Sequence, residues 1–135
     1  MPSGALSVRF TLQADVDRLR IPPRRRPSFA DGLWRHTCFE VFIATRIRAY
    51  REYNFSPSGE WAGYAFSSYR KRGRARIARP RWNRRVATIP ARGPLRIGLS
   101  AVIEDRNGAL SYWALRHPPG KPDFHHRTAF AMRLA

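Results

Sequence analysis

From His36 to Ala44, side chains of an extended chain point alternately to two faces, and the pattern fits. Thr37, Phe39, Val41 and Ile43 share one face and read as core. His36, Cys38, Glu40 and Phe42 share the other, which carries a carboxylate and an imidazole among apolar neighbours. Ala49 to Phe55 repeats the alternation, with Arg51, Tyr53 and Phe55 on one side and Tyr50, Glu52 and Asn54 on the other. Ser56-Pro57-Ser58-Gly59 follows. Proline presets φ at the second position and glycine relieves the exit, which is the residue chemistry of a type I turn. Two alternating runs joined by four such residues predict a hairpin, with Glu60 to Ser68 as the returning strand.

The same period marks the rest of the chain. Leu6, Val8, Phe10 and Leu12 predict a first strand, and Val16, Leu19 and Ile21 a short second one or an irregular edge. Pro22-Pro23-Arg24-Arg25-Arg26-Pro27 reads as loop, because clustered prolines exclude regular pairing. Arg74 to Ala78 and Arg85 to Ile89 read as charged edge strands, whose arginines discourage pairing with other chains. Leu95, Ile97, Leu99, Ala101 and Ile103 alternate strongly, and the Asn107-Gly108 pair then predicts a tight hairpin back through Leu110, Tyr112 and Ala114. A stiff loop over His117 to His126 leads to a last strand from Thr128 to Leu134. Eight to ten short strands without a helical period or an internal repeat predict an all-β fold, an antiparallel β-sandwich of jelly-roll type.

At 135 residues and 43% apolar composition the chain reads as one domain over residues 1–135, with a core that needs no staples. Its single cysteine, Cys38, excludes an intrachain disulfide, fits a reducing compartment and reads as a buried, inert thiol. With no apolar leader and no run of membrane-spanning length, the expected location is cytoplasmic and no membrane partner is expected. The charge changes the picture more. The chain carries a net charge of +17, and of its 26 basic residues only Lys71 and Lys121 are lysines. From Trp61 to Ile103 there is no acid at all. Arg70, Lys71, Arg72, Arg74, Arg76 and Arg81 are therefore a candidate polyanion surface, with nucleic acid as partner and Tyr69 and Trp82 available to stack on bases. A solvated edge is the plainer reading of the same charges.

Other chemistry is thinner. His117, Asp123, His125 and His126 lie close in sequence but lack the ligand spacing of a zinc motif, so no metal is expected. Glu40, Glu52 and Glu60 are carboxylates of the type that hydrolyse glycosides in pairs. Sheet faces hold salt-bridged carboxylates as well, and no nucleophile elbow or phosphate-binding glycine loop is present, so the expectation is a binding protein and not an enzyme.

Five separated blocks, LWRHTCFEVFI, YNFSPSGEWAGYAF, LRIGLSAVIE, LSYWALRHPPGKPDFHH and AFAMRL, resemble bacterial DOMON-like proteins related to the family 9 carbohydrate-binding modules. The resemblance runs from about Leu6 to Leu134. It implies a DOMON-like β-sandwich whose relatives bind sugars or haem, and a non-catalytic module whose ligand is a sugar or another small polar compound. In the sugar-binding relatives a tryptophan stacks on the ring and a glutamate six residues later binds hydroxyls; Trp34 and Glu40 have that spacing. Glu52 and Asn54 share the parity of that face. The second stacking tryptophan has no secure counterpart, with Trp61 and Trp113 as candidates and the core as the competing place for both. The haem-binding relatives ligate iron through a methionine and a late histidine. Here the methionines are Met1 and Met132, neither in the matching strand, and His125 or His126 would lack a partner, so no cofactor is expected.

Overall fold

The structure, a computed structural model, describes residues 4–45 and 48–135. Met1 lies outside the described residues. Ten strands occur among the rest: β1 Ala5–Arg9, β2 Cys38–Ala44, β3 Tyr50–Phe55, β4 Trp61–Ser68, β5 Lys71–Arg72, β6 Arg81–Trp82, β7 Val86–Pro90, β8 Leu95–Glu104, β9 Leu110–Ala114 and β10 Met132–Leu134. They form two packed antiparallel sheets, as the alternation predicts. The small one runs β1-β7-β6. The large one runs β8-β2-β3-β4-β5, and both β9 and β10 pair along the outer edge of the long β8.

The predicted faces fix which side is buried. Phe39, Val41 and Ile43 of β2, Tyr53 and Phe55 of β3, and Leu95 and Ile97 of β8 meet Leu6, Ala87 and Ile89 of the small sheet in one core. The opposite face of the large sheet carries Glu40, Phe42, Tyr50, Glu52, Tyr64 and Phe66. A second apolar cluster forms there, where Phe130 and Ala129 fold back over Phe42 and Tyr50. The Ser56–Gly59 turn closes as predicted: the Gly59 amide donates to the Ser56 carbonyl at 3.0 Å, and Gly59 takes φ of 100°. The Asn107-Gly108 hairpin also forms, with Gly108 at φ of 84°.

Arg85 to Ile89, read as an edge, lies instead between β1 and β6 as β7. Three further predicted strands are corrected. Val16 to Ile21 is no strand: Val16–Arg18 forms a 3-10 turn capped by the Asp15 carboxylate, and Leu19 makes one bridge to Asp105. Val16 and Ile21 stay exposed because no neighbour presents a paired edge to them. Arg74 to Ala78 forms no strand either, because its backbone serves a side chain instead. The Tyr53 hydroxyl, inside the sheet, donates to the Ala78 carbonyl at 2.8 Å, and Ile77 caps the core over Gly63. The last strand is shorter than Thr128 to Leu134, since His126 caps a 3-10 turn at Arg127–Ala129 and only Met132–Leu134 pairs.

Gly63 shows how tight this packing is. A Cβ there would stand 2.6 Å from Ile77 Cγ2 and 3.2 Å from the Tyr53 ring. Gly63→Ala is expected to cost about 1–3 kcal/mol by overpacking, read as a lower urea midpoint at unchanged slope.

Candidate functional site

The outer face of the large sheet is only partly covered. Between the turn at Leu33–Arg35, the β4–β5 hairpin and the loop carrying Pro122 to His125 it leaves a pocket of about 360 Å³. That volume lies at the small-molecule end of ligand sites. Glu40 and Glu52 form part of its lining, with Trp34, Tyr64, Tyr112 and His125 around them and Arg70 and Arg72 on one wall.

Cross-strand register explains why the two glutamates meet. Glu40 lies opposite Asn54 and Phe42 opposite Glu52, so Glu40 and Glu52 are diagonal neighbours on one face, with backbones roughly 7–8 Å apart. Both are buried. Among the described residues Glu40 accepts from two neutral donors, the Cys38 thiol at 3.6 Å and the Ser100 hydroxyl at 3.4 Å. Burial, reinforced by the charge of Glu52, pushes its carboxyl up to about 8. Burial likewise raises Glu52, to about 7, while the nearby Asn54 side chain and then the positive charges of Arg72 and Arg70 hold that rise back. Near neutral pH the pair therefore keeps a proton. The Cys38 thiol is buried and its pKa is raised, chiefly by loss of water and also by Glu40.

His125 is held from several sides. The Tyr50 hydroxyl receives the Arg70 amide at 3.0 Å and lies 2.8 Å from His125 Nδ1, while Nε2 faces Glu52 at 3.4 Å. Burial, with the Arg70 charge, lowers the imidazole to about 4, so the ring is neutral. The set is satisfied with Tyr50 donating to Nδ1 and Nε2–H donating to Glu52. Arg70 reaches this position through the tight β4–β5 turn, where it takes the left-handed conformation at φ of 53°, a strain of about 1–2 kcal/mol for a residue with a Cβ. Its guanidinium meets Asp123 at 2.8 Å, and Tyr69 also donates to Asp123. These bonds offset the strain and tie the hairpin to the C-terminal loop.

The structure brings together Trp34, Glu40 and Glu52 of the sequence-predicted ligand set. Trp34 is 36% exposed and packs edge to face on Tyr64 at 6.0 Å. Asn54 lies on the same face, wholly buried beside Glu40, and among the described residues neither its Oδ1 nor its Nδ2 has a partner. Trp61 and Trp113 are not brought there. Trp61 is opposite Phe55 and packs against the sandwich core, while Trp113 is opposite Ala101 and 64% exposed. Their strand parity puts both on the other face.

A further pocket aromatic is Tyr112, opposite Val102, which the register of the β8–β9 hairpin sets on the face of Glu40. The polyanion set divides as well. Arg70 and Arg72 line the pocket, whereas Lys71, Arg74, Arg76 and Arg81 are exposed elsewhere. Trp82 is not available to bases: it packs against Phe39 and Phe55 and its indole donates to the Ser56 carbonyl at 2.7 Å. Met132, considered above as a haem ligand, sits exposed on β10 opposite Ile97.

Among the described residues no helix is long and apolar enough to cross a membrane. Comparison with protein-family models, with curated proteins and with solved structures gives no match to this chain.

Proposed function

We propose that this chain is a non-catalytic binding module for a small polar ligand, a carbohydrate, held in the pocket on the outer face of the large sheet. The observation that carries this reading is the convergence of Trp34, Tyr112, Glu40 and Glu52 on one cavity of small-molecule size. A sugar ring has an apolar face and a rim of hydroxyls, each both donor and acceptor. Trp34 offers an aromatic surface to the first, and Tyr112 takes the part that neither Trp61 nor Trp113 is placed to play. The carboxyls accept from hydroxyls, Arg70 and Arg72 donate to them, and a protonated Glu40 does both. The resemblance to carbohydrate-binding modules of the DOMON-like type supports the same ligand class.

The test is calorimetric titration with mono- and disaccharides, backed by thermal shift, since a ligand of the folded state raises the melting temperature. Trp34→Ala and Glu40→Gln are each expected to weaken binding roughly 10- to 100-fold, the loss of a stacking surface or of the hydrogen bonds of a buried carboxyl. Trp113→Ala, on the opposite face, is expected to leave affinity unchanged. If the two pocket variants bind as the parent does, the site is wrong.

A further inference from the structure

Beyond the pocket, a row of four aromatic rings in contact carries three arginines, running from Trp34 and Tyr64 on the pocket face round to Trp61 on the other. It starts at the pocket mouth, where the Arg35 guanidinium lies 5.8 Å from the centre of the Trp34 ring. Trp34 meets Tyr64, and Arg72 lies 4.2 Å above the Tyr64 ring. Phe29 then contacts both Tyr64 at 6.3 Å and Trp61 at 5.4 Å, each edge to face. Arg79 closes the row 5.9 Å from the Trp61 ring. The backbone fixes the register of this strip. The Ala30 amide donates to the Trp61 carbonyl at 2.9 Å and the Trp61 amide to the Ser28 carbonyl at 3.1 Å, which clamps residues 28–30 along the edge of β4.

Two properties make the strip more than packing. Phe29 is 52% exposed and Trp34 36%, so the row presents ring surface to solvent. Its arginines are also free of ion pairs: among the described residues the arginine ion pairs are Arg18 with Asp15 and Arg70 with Asp123, and none involves Arg35, Arg72 or Arg79. Two acids lie beside the row, and the charge of one, Asp31, acts on Arg72 and Arg35. Asp31 accepts from the Tyr64 hydroxyl, and Glu60 accepts from the Ser58 hydroxyl at 2.9 Å. The whole chain adds a field of +17.

We propose that this strip binds single-stranded nucleic acid, with phosphates on Arg35, Arg72 and Arg79 and bases stacked on Phe29 and Trp34. Interleaved cations and ring faces suit a strand whose bases are free to splay; a duplex keeps its bases stacked inside and offers the rings nothing. Stacking is indifferent to base identity, so recognition is sequence-tolerant. Three phosphate contacts to a single strand give a log–log salt slope of about −2, which is roughly a 20-fold loss of affinity from 50 to 200 mM salt.

The test is fluorescence anisotropy of a labelled oligothymidylate and of a length-matched duplex at those two salt concentrations. The single strand is expected to bind more tightly than the duplex. Phe29→Ala is expected to weaken single-strand binding at least 5-fold. Arg79→Ala should flatten the salt slope by about 0.7, while Arg133→Ala, which removes an exposed charge from β10 at the far edge of the sheet, changes binding little. All three side chains are exposed, so the substitutions spare the core. Equal affinity for duplex and single strand, an unchanged Phe29→Ala, or equal losses from Arg79→Ala and Arg133→Ala would overturn the proposal, the last by reducing the binding to a diffuse charge effect. Phe29 and Arg79 lie outside the pocket, so sugar titrations of their variants report separately on the carbohydrate reading.

Discussion

Phe42→Ala is expected to destabilise the domain by about 3–5 kcal/mol, the cost of deleting a fully buried ring and leaving a cavity. Phe42 is 1% exposed and touches Tyr50, His125 and Phe130, with ring centres 6.3, 5.0 and 5.7 Å away. A typical domain holds 5–15 kcal/mol in all, so a large share of the stability goes with this ring. Phe55→Ala, in the sandwich core, is expected to cost as much, since Phe55 is equally inaccessible. What separates the two variants is the pocket. Phe42 supports the C-terminal segment that carries Phe124 and His125, so its loss should lower ligand affinity even where the protein remains folded. Phe55→Ala should leave the affinity of the folded fraction intact. Urea midpoints at constant slope, with titrations at low denaturant, read both effects. A cost under about 1 kcal/mol for Phe42→Ala would mean that the outer face is not a packed layer.

Stability is expected to fall as pH rises through neutrality, and Glu52→Gln is expected to remove much of that fall. Unfolded, both carboxyls titrate near their ordinary 4.5; folded, Glu52 keeps its proton to about 7 and Glu40 to about 8. Over that interval the native state binds more protons than the unfolded chain, so each group's stabilisation is complete at low pH and is lost as pH climbs to its folded value. His125 acts in the opposite sense. Its imidazole drops from 6.5 to about 4 on folding, so its contribution is full above 6.5 and declines as pH falls toward 4. Between 4.5 and 6.5 the histidine partly cancels the glutamates. Above 6.5 it no longer does, and the decline is steepest there until the pair has ionised; it continues above pH 8 as the Cys38 thiol ionises in the unfolded chain but not in its buried site. Glu52→Gln removes a carboxylate that has become costly, and at pH 8 it should stabilise the domain by on the order of 3 kcal/mol while weakening ligand binding. Urea midpoints from pH 4.5 to 9 decide the matter. A parent profile that rises or stays level across neutrality would contradict the arrangement of the pair.

A substitution that improves stability and harms binding is the signature of a site maintained for use. Glu40, Glu52 and Asn54 place three polar side chains on the buried part of a sheet face, and Asn54 has no partner among the described residues. Each is costly to bury unpaired, by about 1–3 kcal/mol or more.

The alternation of Phe39, Val41, Ile43, Tyr53 and Phe55 determined the sheet, its faces and the side on which Glu40 and Glu52 stand, because side-chain direction in a strand follows from sequence parity alone. Proline and glycine likewise marked the Ser56–Gly59 turn through local backbone sterics. What parity leaves open is the order of strands and what lies across from each face. Trp61 and Trp113 each sit in a strand of known alternation, yet only pairing with Phe55 and Ala101 turned them from the pocket and gave Tyr112 its place. The arginines of residues 70–81 look uniform along the chain. Tertiary structure alone drew Arg70 and Arg72 against Glu52 and lined up Arg35, Arg72 and Arg79 with rings from distant segments. Periodicity is a property of neighbouring residues, whereas a pocket or a strip is made of groups that become neighbours only when separate strands pair and loops fold back over them.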